Sequence, residues 1–176
     1  NDLKHIETIR KDVGMVFHPL PILMNITRVE AKESFLYYRE GISPVVADVL
    51  ERLDGERVAV AAALGVNVPS AKEWLKRSYG ARGDSLYACL QDTGAYGTVK
   101  APTDIDTRYV QEDVPTGCVP VSCLGRRAGV KTPVIDSAIQ WAGSVYGRNY
   151  FEEGRGGAQI DFGGVLNAAE HTRKAG

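Results

Sequence analysis

Apolar residues return at helical steps through the middle of the chain. Val45, Val46, Val49, Leu50, Leu53, Val60, Ala61 and Leu64 recur three or four residues apart, while Asp48, Glu51, Arg52 and Glu56 largely fill the other face. Ser43-Pro44 precedes this stripe with a hydroxyl that can accept from free amides and a proline preset for the first helical position, and Gly65 offers a left-handed stop. The pattern predicts a helix over about 44–64. A shorter helix is predicted from Ser70, where Glu73 stands at the capping-box position, Trp74 and Leu75 are apolar, and Gly80 ends the segment. Thr132-Pro133 repeats the hydroxyl-proline start, followed by Val134, Ile135, Ala138, Ile139, Ala142 and Val145 on one stripe and closed by Gly147. Segments 85–92 and 114–128 also read as helices, as does 20–40, where Ile22, Leu23, Ile26, Val29, Phe35 and Leu36 keep the same beat. No stretch alternates with period two for long enough to make a sheet, and the Gly/Pro-rich stretches 93–103 and 154–164 read as loops or termini. The expected fold class is all-α: a compact, multi-helix, bundle-like single domain over residues 1–176.

The chain's 176 residues suit one domain with a core of its own, and 21 Lys+Arg against 22 Asp+Glu leave a net charge of −1. The charges are spread along the chain, so neither a nucleic-acid surface nor a polybasic membrane surface is expected. The longest apolar run, Val58 to Val66, is interrupted by Gly65 and too short to cross a bilayer; a soluble chain follows. Cys89, Cys118 and Cys123 show neither CxxC spacing nor a nearby histidine cluster, so neither a disulfide framework nor a metal site is expected, and a cytoplasmic location fits best. The first residues, NDLKHIETIR, lack the apolar core and cleavage site of a secretory signal, and their start at Asn1 leads to the expectation that something upstream has been removed. No GxGxxG turn behind a strand, no Walker-type loop and no GxSxG occurs, so the chain offers no cradle for cofactor phosphates. The Arg82-Gly83-Asp84 triplet and the Asn25-Ile26-Thr27 sequon read as chance matches.

Candidate chemistry gathers in two places. His18 lies in Val16-Phe17-His18-Pro19-Leu20-Pro21, where two prolines are expected to hold the backbone extended and apolar neighbours imply partial burial. From this segment alone it reads either as a rigidly placed catalytic imidazole or as a satisfied histidine at the start of a core helix. His5 and His171, in polar near-terminal surroundings, read as solvated. In the second cluster, Arg108 to Gly117, Asp113 or Glu112 could simply cap a helix and Arg108 could be a surface cation. A guanidinium five residues before a carboxylate also provides a fork for a substrate carboxylate and an anion to orient a histidine.

These clusters belong to a longer pattern. Phe17-His18-Pro19, Asn25, Arg28-Val29-Glu30 and Tyr37-Tyr38-Arg39-Glu40-Gly41-Ile42-Ser43-Pro44 are followed by Asp54-Gly55-Glu56-Arg57 and Ala63-Leu64-Gly65. Arg108-Tyr109, Glu112-Asp113-Val114-Pro115-Thr116-Gly117, Leu124-Gly125, Ala128-Gly129-Val130 and Thr132-Pro133-Val134-Ile135-Asp136 continue it. Together, from about Val16 to Gly147, they resemble the C-terminal helical domain of the octopine/nopaline (opine) dehydrogenases. The resemblance implies the helical half of a two-domain dehydrogenase that reductively condenses an amino acid with a 2-oxo acid. It further implies NADH or NADPH as cofactor, bound mainly by an N-terminal Rossmann domain absent from this chain. By the same resemblance His18 handles the proton, Asp113 orients it and Arg108 grips the oxo-acid carboxylate. Asn25 would hydrogen-bond substrate or the nicotinamide amide.

The chemistry asks for the same set: charge left on nitrogen or oxygen after hydride addition needs an imidazole able to give and take a proton near neutrality. The exposed wall that meets another domain would leave an apolar patch, so homodimer formation is expected. Two other readings stand at this point: a non-catalytic α-helical interaction or dimerisation module, and a ketopantoate reductase-like dehydrogenase domain.

Overall fold

The computed structural model describes residues 13–154, and within them the chain is helical, with a single isolated antiparallel bridge between Leu36 and Lys100 in place of any sheet. Short helices come first: α1 (Gly14–Phe17), α2 (Pro19–Met24), α3 (Ile26–Glu30) and α4 (Tyr37–Glu40). The long α5 (Pro44–Ala63), then α6 (Ala71–Tyr79) and α7 (Leu86–Asp92), form the middle. After α8 (Arg108–Gln111) comes a π-helical turn at Val114–Cys118, then α9 (Val119–Ala128), α10 (Pro133–Tyr146) and α11 (Tyr150–Glu153).

The predicted helices at 44–64, 70–80, 85–92, 114–128 and 132–147 are present within a residue or two. The helix predicted over 20–40 is not continuous. Asn25 turns its amide back onto the carbonyl of Pro21, at 2.8 Å, competing with the backbone ladder, and Lys32 adopts a left-handed φ of 54° that reverses the chain. Tyr37 then gives its amide to Val99 and Ala101 gives its own to Phe35, so the 93–103 loop is drawn against the start of α4. Of the predicted loop 154–164, the part from 155 onward lies outside the described residues, as do His5 and His171.

On α5 the predicted polar face holds, with Asp48, Glu51 and Arg52 exposed and Glu56 half-buried, and the departures lie elsewhere on the helix. Val45, assigned to the apolar stripe, is 72% exposed, whereas Asp54 and Arg57 are buried beside Leu50, Leu53 and Val60. Three carboxylates of this helix accept from the first turns of other helices. Glu51 takes the Leu86 amide of α7 at 2.6 Å, Asp54 the Ala71 amide of α6 at 2.6 Å, and Glu56 the Val134 and Ile135 amides of α10 at 2.8 and 2.9 Å. A helix begins with unsatisfied N–H groups and a partial positive charge, so a carboxylate from a neighbour stabilises it twice over. Thr132, expected to cap α10, instead directs its hydroxyl to Asp136. Asp54 also holds the buried Arg57, whose guanidinium reaches the Pro69 carbonyl at 2.7 Å.

Around α5 the core closes against α1, α2, α9 and α10. The backbone of α9 comes close at Gly125, where a Cβ would meet Val60 and Thr132 side chains at 3.1 and 2.9 Å. Replacing Asp54 by Ala removes the anion from a buried cation, and we expect urea denaturation to show a loss of about 3–5 kcal/mol. Replacing Glu56 by Ala removes a cap alone and should lower stability by only about 1–2 kcal/mol. Equal, small effects would show that Asp54 is no more than a cap.

Candidate active site

Pro19 and Pro21 have no amide hydrogen, so the carbonyls four residues earlier, those of Met15 and Phe17, lose their helical donors. Other elements supply replacements. The Tyr37 hydroxyl on α4 is shared between the carbonyls of Phe17 and His18, at 3.0 and 2.9 Å, and the Cys118 thiol approaches Met15 O at 4.0 Å. The segment is not extended as expected: Pro19 starts α2, where its missing amide costs that helix no bond, and His18 sits at the break between α1 and α2 that these contacts hold in place.

The imidazole is then held on three sides. Nδ1 donates to Asp113 Oδ2 at 2.6 Å across 95 residues of sequence, Nε2 lies 3.4 Å from the Tyr38 hydroxyl, and the Tyr109 ring stacks on its face, 4.1 Å between centroids and 7° from parallel. The His18 and Asp113 side chains are 24% and 19% exposed, sheltered yet reachable. With Nδ1 engaged by the carboxylate, Nε2 is the nitrogen left to exchange a proton with a bound molecule. Asp113 stands where α8 gives way to the π turn, in which the Val119 amide reaches back to Val114 O. Such wide turns re-aim neighbouring side chains and are frequent at functional sites. The Thr116 hydroxyl and amide both close on Glu112 O, at 2.6 and 3.1 Å.

Aromatic rings extend the site away from His18. Tyr96 stacks on Tyr38 with centroids 4.0 Å apart, Tyr79 follows at 5.4 Å from Tyr96, and Trp74 lies 5.5 Å from Tyr79. Burial, reinforced by neighbouring phenols, pushes the Tyr37, Tyr38 and Tyr96 hydroxyls far above the ordinary tyrosine range. They stay protonated throughout the neutral range.

Arg108 is carried on α8 beside Tyr109; its exposed guanidinium lies 3.6 Å from Glu112 on the same helix. Asn25 is turned inward. Its two amide hydrogens go to Pro21 O and Gly41 O, both at 2.8 Å, and its Oδ1 accepts from Arg28 at 3.3 Å. No donor is left for a bound molecule. Tyr38 and Tyr109, which complete the site, escaped the sequence reading because aromatic residues in helical stretches read as core. The four-residue step from Tyr109 to Asp113 was the available signal, since it puts both on one helical face. Among the described residues no strand, glycine-rich turn and helix forms a phosphate cradle, so these residues alone do not fit a dinucleotide, and no group of three His, Cys, Asp or Glu could hold a metal.

Residues 4–146 match the family model for the NAD/NADP octopine/nopaline dehydrogenase alpha-helical domain. The chain belongs to this family. It is 40% identical over 163 residues to the opine dehydrogenase of Arthrobacter sp. (strain 1C), covering 93% of this chain and 45% of that protein. The vitopine synthase of Allorhizobium ampelinum is 32% identical over 85% of this chain and 42% of its own length. The chain thus spans less than half the length of these curated relatives. A solved octopine dehydrogenase with NADH and L-arginine superposes with a TM-score of 0.65 at 26% identity, covering 76% of this chain and 39% of that one. The fold is therefore that of the opine dehydrogenase helical domain, and among its described residues no helix is long and apolar enough to cross a membrane.

An alkaline titration of this domain tests the burial of its phenols. Tyr37, Tyr38 and Tyr96 ionise at higher pH folded than unfolded, so above about pH 10 the unfolded chain holds fewer protons and stability falls as pH rises. We expect part of the phenolate absorbance to appear only together with loss of helical ellipticity. Complete ionisation of all tyrosines with the helices intact would contradict that burial.

Proposed function

We propose that this chain is the substrate-binding and catalytic helical domain of an opine dehydrogenase, an NAD(P)H-dependent oxidoreductase acting on CH–NH groups, and that it condenses an amino acid with a 2-oxo acid. The observation that carries this reading is the His18–Asp113 pair, 2.6 Å apart, with Nε2 free of the carboxylate, inside a chain of that family. NADH or NADPH would be held mainly by an N-terminal Rossmann domain and, when bound, would supply hydride chemistry to this site. The relatives' names and the solved complexes with NADH, L-arginine and agmatine support the cofactor and substrate classes.

In this reading Nε2 of His18 takes a proton from the ammonium group of the amino acid, making its nitrogen nucleophilic toward the oxo-acid carbonyl. The same nitrogen gives that proton to the carbonyl oxygen as the carbinolamine forms, then carries a second proton from the carbinolamine nitrogen to the same oxygen, which departs as water when the protonated imine forms. Asp113 keeps the other hydrogen on Nδ1 and stabilises the imidazolium while it carries each proton. Arg108, exposed and on the same short helix as the ring that stacks on His18, grips the oxo-acid carboxylate and aligns its reactive carbon. Asn25 ties α2 to Gly41 and acts on the site by position. We place the enzyme in the cytoplasm, and a homodimer fits the exposed Trp141 on α10.

Steady-state kinetics of the full-length enzyme test these roles. His18→Ala should lower kcat by about 10²-fold or more. Asp113→Asn should lower kcat through the wrong tautomer and lost charge, and Arg108→Ala should raise KM for the oxo acid by about 10-fold or more with less effect on KM for the amino acid. Undiminished turnover in the His18 variant would end this reading. A non-catalytic helical module would have no turnover to lose.

A further inference from the structure

We propose that Tyr38 is a positioning residue for this proton transfer, its hydroxyl steadying the Nε2 side of His18 in both protonation states of the ring. The inference rests on the functional reading above.

The hydroxyl lies 3.4 Å from Nε2, on the nitrogen that Asp113 does not occupy. A phenol can donate to the lone pair of neutral imidazole and accept from the N–H of imidazolium, so one group serves both halves of the proton cycle without moving. At 3.4 Å the contact is loose beside the 2.6 Å bond to Asp113, which leaves Nε2 able to exchange a proton with a substrate atom.

Tyr38 is fixed independently of His18. Its ring is 5% exposed and stacked on Tyr96, and its carbonyl accepts from the Gln91 amide at 3.4 Å. The helix carrying it is tied to the backbone of His18 through the Tyr37 hydroxyl, so α4 holds both the main chain and the ring of the histidine. Gly41 ends that helix where a Cβ would stand 2.5 Å from Tyr37 O of the same helix and 3.0 Å from the Phe35 ring, so a side chain at this position would disturb α4. Among the described residues the titratable groups that meet the ring or the carbonyl of His18 are Asp113, Tyr37, Tyr38 and Tyr109, with Tyr96 behind Tyr38, and of these the carboxylate carries the charge. Burial keeps the phenol itself protonated, so it does not compete with His18 as a base.

Tyr38→Phe in the full-length enzyme keeps the ring and removes the hydroxyl. We expect kcat to fall about 3- to 10-fold while KM for both substrates stays within about twofold, the size of one lost hydrogen bond. The bond from imidazolium N–H to the phenol oxygen is charge-assisted and the stronger of the two, so its loss favours neutral imidazole. The midpoint of the kcat/KM–pH profile should therefore move to lower pH by about half a unit.

Tyr38→Trp keeps a stacking ring without a hydroxyl at that place and should show the same direction of change should the Phe variant prove unstable. Wild-type kcat, or a lower kcat with an unmoved midpoint in a variant of normal helicity, would overturn the proposal. Either result leaves the His18 reading standing, because that falls only if the His18→Ala enzyme retains its turnover.

Discussion

Two missing hydrogens organise this site. Pro19 and Pro21 cannot donate, so the carbonyls of Met15 and Phe17 would be buried without partners unless another element came to them. The Tyr37 hydroxyl bonds the Phe17 carbonyl and the Cys118 thiol approaches that of Met15, from elements far apart in the sequence. One brings α4, and with it Tyr38; the other brings the π turn, and with it Asp113. The helix break at His18 and the groups around its ring are thus consequences of one constraint, the need to satisfy buried backbone acceptors.

Elsewhere the same accounting runs through α5. Its carboxylates cap α6, α7 and α10, so one long helix sets the starting points of three others. Arg57 next to Asp54 gives that arrangement a cost as well as a benefit, because a buried ion pair must recover the hydration both groups give up. Hydrogen bonds to Pro69 O and to the Ala71 amide contribute to that recovery, and they lock the turn between α5 and α6. A rigid frame of this kind suits a site whose working distances must hold within a fraction of an ångström.

The two nitrogens of His18 divide the chemistry. Nδ1 faces the carboxylate that orients it, and Nε2 faces phenolic groups that stay neutral in the working pH range. The Tyr38 and Tyr109 rings shelter the imidazole in part, and Asp113 is the carboxylate that meets it. Membership of the octopine/nopaline dehydrogenase family gives this geometry its chemical setting.

Much of the fold was legible in the chain because its helices carry their own punctuation: Ser43-Pro44 and the Ser70/Glu73 box act locally, through atoms a few residues apart. His18 and Asp113 were visible as residues whose surroundings and family resemblance suggested chemistry. Their pairing was implied by the family resemblance alone, since nothing local relates positions 95 apart. The partners of the α5 carboxylates are likewise beyond any local pattern, although the polar face predicted for that helix is largely exposed. Glu51, Asp54 and Glu56 look like solvated charges until other helices deliver N–H groups to them, and a buried cap is defined by its partner, not by its own spacing. Asn25 shows the converse: a side chain expected to face outward is consumed by two carbonyls, one of them 16 residues away. The sequence by itself determined where helices start and stop and which residues could carry a proton. Only the tertiary structure decided which donors meet which acceptors, because that depends on how elements distant in sequence pack to satisfy one another's buried polar groups.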